Sequence, residues 1–130
     1  MRGASAIDRI LSELPDSDLR VFVVWEPVLP GDRFRHGDRF LSGKLRDGRA
    51  SHYWDPSKSL SAEILRADWT RKYAVRGGSL GVVWDWVALY PKGVPWGDQF
   101  PEPAVQAFPV VDAEDRVQAW VRRETGASPG

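Results

Sequence analysis

Apolar residues recur along the chain in two rhythms. Ile7, Ile10, Leu11 and Leu14 fall on one face of a helix over Ala4–Leu14, and Pro15-Asp16-Ser17-Asp18 ends it in a turn. Leu19–Trp25 is a continuous β-branched and aromatic run, the pattern of a strand buried on both faces. Asp32 is placed to cap a helix over Arg33–Leu45 with Phe34, Leu41 and Leu45 inward, weakened by Gly37 and Gly43. Ser51–Trp54 predicts a short strand. Asp55-Pro56 then combines a capping residue with proline at a first helical position, and Leu60, Ile64 and Ala67 follow at helical spacing. Arg71–Gly81 is a connection broken by Gly77-Gly78. Val82–Tyr90 predicts a second strong strand, Pro91-Lys92-Gly93 a hairpin turn and Val94–Trp96 the returning strand. Asp112 is placed to cap a last helix over Ala113–Arg123, with Val117, Trp120 and Val121 inward. Glu114 and Asp115 open that helix and Arg122 and Arg123 close it, matching the helix dipole.

The order is α-β-α-β-α-β-β-α. Strands separated by helices pair in parallel through right-handed crossovers, and the late hairpin adds an antiparallel edge. The expected class is α/β: a mixed sheet of about four strands between two layers of helices. One domain over residues 1–126 fits the length of 130, leaving 127–130 as a frayed tail.

Composition narrows the chemistry. There is no cysteine, which excludes disulfide exchange, thiolate metal sites and cysteine nucleophiles. Met1–Leu19 carries charges throughout and lacks an apolar signal segment, and no run approaches the length of a membrane span, so a cytoplasmic protein is expected. The 18 basic and 18 acidic residues cancel but are unevenly spread. Basic residues dominate Arg33–Arg76; from Asp85 to Asp115 there are six acids against Lys92 alone. A solvated surface explains this more simply than nucleic-acid binding, because no aromatics interleave the basic residues.

Trp25-Glu26-Pro27-Val28-Leu29-Pro30-Gly31-Asp32 follows the first core strand and leads to a helix. This layout, the strand Trp84–Tyr90 with its Lys92-Gly93 turn, and the closing amphipathic helix resemble the thioredoxin fold over roughly Leu19–Arg123. The segments Val24–Asp32 and His52-Tyr53-Trp54-Asp55-Pro56 are similar to thioredoxin-like bacterial proteins of unknown function. The resemblance implies a three-layer thioredoxin-like domain. It also implies redox cysteines at the positions of Glu26 and Leu29, and a cis-proline near Val82-Val83. The chain has neither. A redox role is therefore removed, and the peptide-docking bend of the family is altered.

Other chemical patterns are weak. Gly77-Gly78-Ser79-Leu80-Gly81 matches a hydrolase nucleophile elbow, but a strand follows the serine and both histidines precede it. His36-Gly37-Asp38 and His52-Tyr53-Trp54-Asp55 offer imidazoles and carboxylates without a chelating spacing, so no metal and no cofactor are expected. Glu26 has two readings: an acid-base or cation-contacting group, or simply a surface carboxylate at a helix start. The seven tryptophans read either as core or as a pocket or interface lining.

Two function classes stand. One is a non-catalytic module binding a protein or peptide, as a monomer or homodimer, with Trp25, Glu26, Pro27, Leu29 and Trp54 as its candidate surface. The other is an enzyme with a repurposed site in the Trp25–Asp32 loop, using Glu26 with His36 or His52. The sequence leans towards the first.

Overall fold

The computed structural model describes residues 2–27, 45–72, 83 and 85–126. Helix α1 (Arg2–Glu13) leads to strand β1 (Val21–Trp25), then β2 (Ala50–Trp54), helix α2 (Ser59–Arg66) and a 3-10 turn (Asp68–Lys72). Strands β3 (Val87–Leu89) and β4 (Val105–Ala107), a 3-10 turn (Val110–Ala113) and helix α3 (Glu114–Thr125) complete it. The expected helix over Arg33–Leu45 lies almost wholly outside the described residues, as do Leu29, His36 and the Gly77–Gly81 motif.

The α/β class holds. β1 and β2 pair in parallel, from Val21 opposite Ala50 to Trp25 opposite Trp54. β3 and β4 pair antiparallel, from Val87 opposite Ala107 to Leu89 opposite Val105. Among the described residues these are two two-stranded sheets.

Several local expectations are corrected. Strand β1 is not buried on both faces, because Phe22 is 69% exposed. The returning strand is Val105–Ala107, not Val94–Trp96. Pro95 has no N–H to give a ladder, whereas Val105-Gln106-Ala107 carries three donors. Gly93, at φ +80°, still turns the chain after Tyr90, but into a long connection. Among the described residues of the predicted strand Val82–Tyr90, the strand is Val87–Leu89; Asp85 sits in the left-handed region at φ 51°, which breaks a ladder.

Helix α2 starts later than Asp55-Pro56 suggested, after Lys58 at φ 59°. Asp55 nevertheless caps from outside, its carboxylate accepting the Leu60 N–H at 2.8 Å. Asp112 is not the cap of α3. It lies within the 3-10 turn, and Ala113 occupies the cap position without a side-chain bond. Gly126, left-handed at φ 68°, ends α3 in the usual way.

The main core lies where α1 and α3 cover β3–β4. Ile10, Leu14, Leu89, Ala107, Ala113, Val117, Trp120 and Val121 are its buried members. Both helices thus bury the stripes that their spacing marked. Arg9 bonds both carboxylate oxygens of Glu114 across the two helices, at 3.1 and 2.8 Å. A second cluster of Ile64, Ala67 and Trp69 packs against Leu60, Val83, Trp86 and Phe100.

Arg49 joins α1 to β2. Its guanidinium donates to the carbonyls of Leu11 (2.7 Å) and Leu14 (2.6 Å) at the end of α1, to Ser17, and to both oxygens of Asp47. A fork of fixed donors satisfies the orphan carbonyls of a helix end, a role the lysine point charge does not fill.

Candidate functional site

The C-terminal ends of the parallel strands bring two carboxyl groups together. The Asp55 N–H donates to the Trp25 carbonyl at 2.9 Å, extending the ladder one step beyond the strands. Glu26 and Asp55 follow the paired residues Trp25 and Trp54, so their side chains leave the sheet together. Asp55 is held by the Leu60 N–H and by the Ser57 hydroxyl at 3.2 Å. Glu26 accepts a short hydrogen bond from the Ser61 hydroxyl, and the Ser61 N–H approaches its other oxygen at 3.4 Å. Ser61 is fully buried, and its oxygen also accepts the Val83 N–H at 2.8 Å.

The environment separates the two acids. Burial raises Glu26 above the usual carboxylate range; hydrogen bonds from Ser61 oppose this, and the neighbouring Asp55 adds to it. Burial also acts to raise Asp55, but the backbone N–H groups of Leu60 and Ser59 and the hydrogen bonds from Glu26 and Ser57 outweigh it, and the net shift is downward. Of the two carboxyls, Glu26 is therefore the more readily protonated. Such a pair has the electrostatics of an acid beside a base.

His52 does not join them. Alternation along β2 puts His52 and Asp55 on opposite faces. The Trp25 indole N–H donates to His52 Nδ1 at 3.1 Å, and His52 Nε2 meets the Leu45 carbonyl at 2.9 Å. Indole can only donate and carbonyl can only accept, so the imidazole is the neutral Nε2–H tautomer with both nitrogens engaged. The two rings lie nearly parallel, 11° apart with centroids 6.1 Å apart. Trp25 and His52 are thus a strut between β1, β2 and Leu45, not an open platform.

Of the other candidate residues, Pro27 is buried, Trp54 is half-buried, and Leu29 is outside the described residues. Trp69 and Trp120 are core; Trp86 is half-buried. Among the described residues, no three His, Asp or Glu side chains are placed to hold a metal ion. No helix there is long and apolar enough to cross a membrane.

The sequence reading missed two things. Ser61 gave no signal, since a serine inside an amphipathic helix usually faces solvent. The second is an aromatic pair on the carboxyl-bearing side of β1–β2. Phe22 and Tyr53 stack at 6.4 Å and 29°, 69% and 51% exposed. Strand alternation could have placed them on one face once the register was known.

The chain matches no protein-family model, and no curated protein or solved structure is significantly similar to it.

Proposed function

We propose that the chain is a thioredoxin-like module without redox activity that binds an extended peptide segment of a partner protein. The absence of cysteine, the parallel β1–β2 pair, the late antiparallel pair and the closing helix support this reading. The observation that carries it is the exposed Phe22–Tyr53 stack. Two adjacent rings left more than half in water have an apolar cost that a partner would relieve. Glu26 and Trp25, by contrast, spend their polar atoms inside the chain. This reading puts the working surface on the Phe22–Tyr53 rings, on the same face of β1–β2 as Glu26 and Asp55. Selection of a displayed peptide library on the wild-type chain tests this. Enriched peptides should lose about tenfold or more in affinity on a Phe22→Ser, Tyr53→Ser variant of unchanged fold, the scale of a modest interface anchor. No enrichment, or equal binding to the variant, refutes it.

A second reading has one specific observation in its favour. Glu26, raised by burial, and Asp55, lowered by its hydrogen bonds, sit together at the C-terminal edge of a parallel strand pair, where α/β proteins place ligands. An enzyme would use Glu26 as general acid and Asp55 as base. If so, a hydrolytic substrate screen should find an activity that Asp55→Asn abolishes while the Phe22, Tyr53 variant keeps it.

A further inference from the structure

The connection between β3 and β4 carries an aromatic surface remote in sequence from Phe22 and Tyr53. Trp96 is 58% exposed although two other rings hold it. Phe100 meets it edge-on with centroids 4.7 Å apart, and Tyr90 lies against it at 5.4 Å and 47°. Both neighbours are anchored. The Tyr90 hydroxyl donates to the Pro101 carbonyl at 2.8 Å. Phe100 packs on the second core cluster, and its carbonyl accepts the Trp69 indole N–H at 2.6 Å. Pro91, Pro95, Pro101 and Pro103 restrict the backbone between them. These contacts restrict the indole before any ligand arrives, which lowers the ordering cost of binding to it.

Acidic residues outnumber basic ones along this stretch of chain. Asp98 and Glu102 are exposed on either side of Phe100. Lys92 is the one basic residue between Asp85 and Asp115, against six acids, and it is paired with Asp18. Arg66, whose guanidinium reaches the Asp98 carbonyl, is paired with Glu63. An electron-rich indole face beside carboxylates suits a cation, and a planar guanidinium can stack on the ring while bonding a carboxylate.

We propose that the Tyr90–Pro103 connection binds an arginine-bearing peptide segment of a partner protein, its guanidinium stacked on Trp96 and paired with Asp98. This does not depend on the Phe22–Tyr53 surface.

Fluorescence anisotropy of a labelled Gly-Ser-spaced peptide carrying three arginines, titrated with the full chain, tests it. Saturable binding is expected. It should weaken about tenfold when citrulline replaces arginine, and about tenfold on Trp96→Ala, the range of a partly desolvated cation–π contact. Asp98→Asn, an exposed change that leaves the aromatic packing intact, should weaken it about threefold. Trp96→Phe should retain most of the affinity, and Phe22→Ser with Tyr53→Ser should retain all of it. No saturable binding, equal affinity for the citrulline or lysine peptide, or an unchanged affinity for both the Trp96→Ala and Asp98→Asn variants overturns the proposal. If the Phe22, Tyr53 variant fails in the library selection but keeps this affinity, the two surfaces are separated.

Discussion

Replacing Ser61 with alanine should weaken the fold by about 2 kcal/mol, because one hydroxyl serves two partners. Ser61 is fully buried; it donates to Glu26 and accepts the Val83 N–H at 2.8 Å. The half-buried Val83 N–H is left without that acceptor, which costs about 1–2 kcal/mol. Glu26 is only half-buried and recovers part of its lost bond from solvent, so about 0.5–1 kcal/mol is added there. Removing the hydroxyl also removes its own desolvation cost, which returns about 0.5 kcal/mol. Unfolding entropy for a chain of 130 residues is about 0.27 kcal/mol per kelvin, so 2 kcal/mol lowers Tm by about 7 °C. Thermal melts and urea titrations followed by circular dichroism read both quantities. A double-mutant cycle with Glu26→Gln apportions the loss, and a coupling above about 0.5 kcal/mol is expected for groups in direct contact. A Tm within about 1 °C of wild type, or no coupling to Glu26, would refute the reasoning.

Further outcomes follow from the same contacts. The pKa of Glu26 is raised by burial, so its contribution to stability is present below its unfolded pKa and lost as pH rises through the folded value. Urea titrations between about pH 4 and 7 should show wild type losing stability relative to Glu26→Gln as pH rises; a constant difference contradicts this. Asp47 has the opposite sign: hydrogen bonds from the Arg49 side chain and backbone hold it at about 2. Its contribution is lost as pH falls below about 4, so Asp47→Asn should flatten the acid limb of the stability curve. Arg49→Lys should cost about 2 kcal/mol in urea denaturation, since lysine cannot reach the Leu11 and Leu14 carbonyls and both Asp47 oxygens at once. Leu11→Ala, at a fully buried position of α1, should cost about 3 kcal/mol; a loss below about 1 would mean that α1 is not part of the cooperative core.

Much of the local structure is written in the sequence. Ile7, Ile10, Leu11 and Leu14 mark α1, and Val117, Trp120 and Val121 mark α3, because a helix must bury one stripe and periodicity alone identifies it. Glu114 and Arg122 at opposite ends of α3 are equally legible, since the dipole acts within one turn. The parallel pairing of β1 with β2 follows from the length of chain between them. What the sequence does not contain is the pairing of distant residues. Gln106 opposes Ala88 across a connection of 15 residues, and only the sheet decides that Val105–Ala107 rather than Val94–Trp96 is the partner strand. The same holds for the candidate site. The pKa of Glu26 depends on its burial, on the hydroxyl of Ser61, which lies 35 residues along the chain, and on Asp55. His52 is withdrawn from that site because strand alternation turns it to the other face, where Trp25 and Leu45 occupy both its nitrogens. The absence of cysteine removes a reaction whatever the fold. Which carboxyl is the more readily protonated, and which aromatic ring meets water, are settled only when residues far apart in sequence share one low-dielectric neighbourhood.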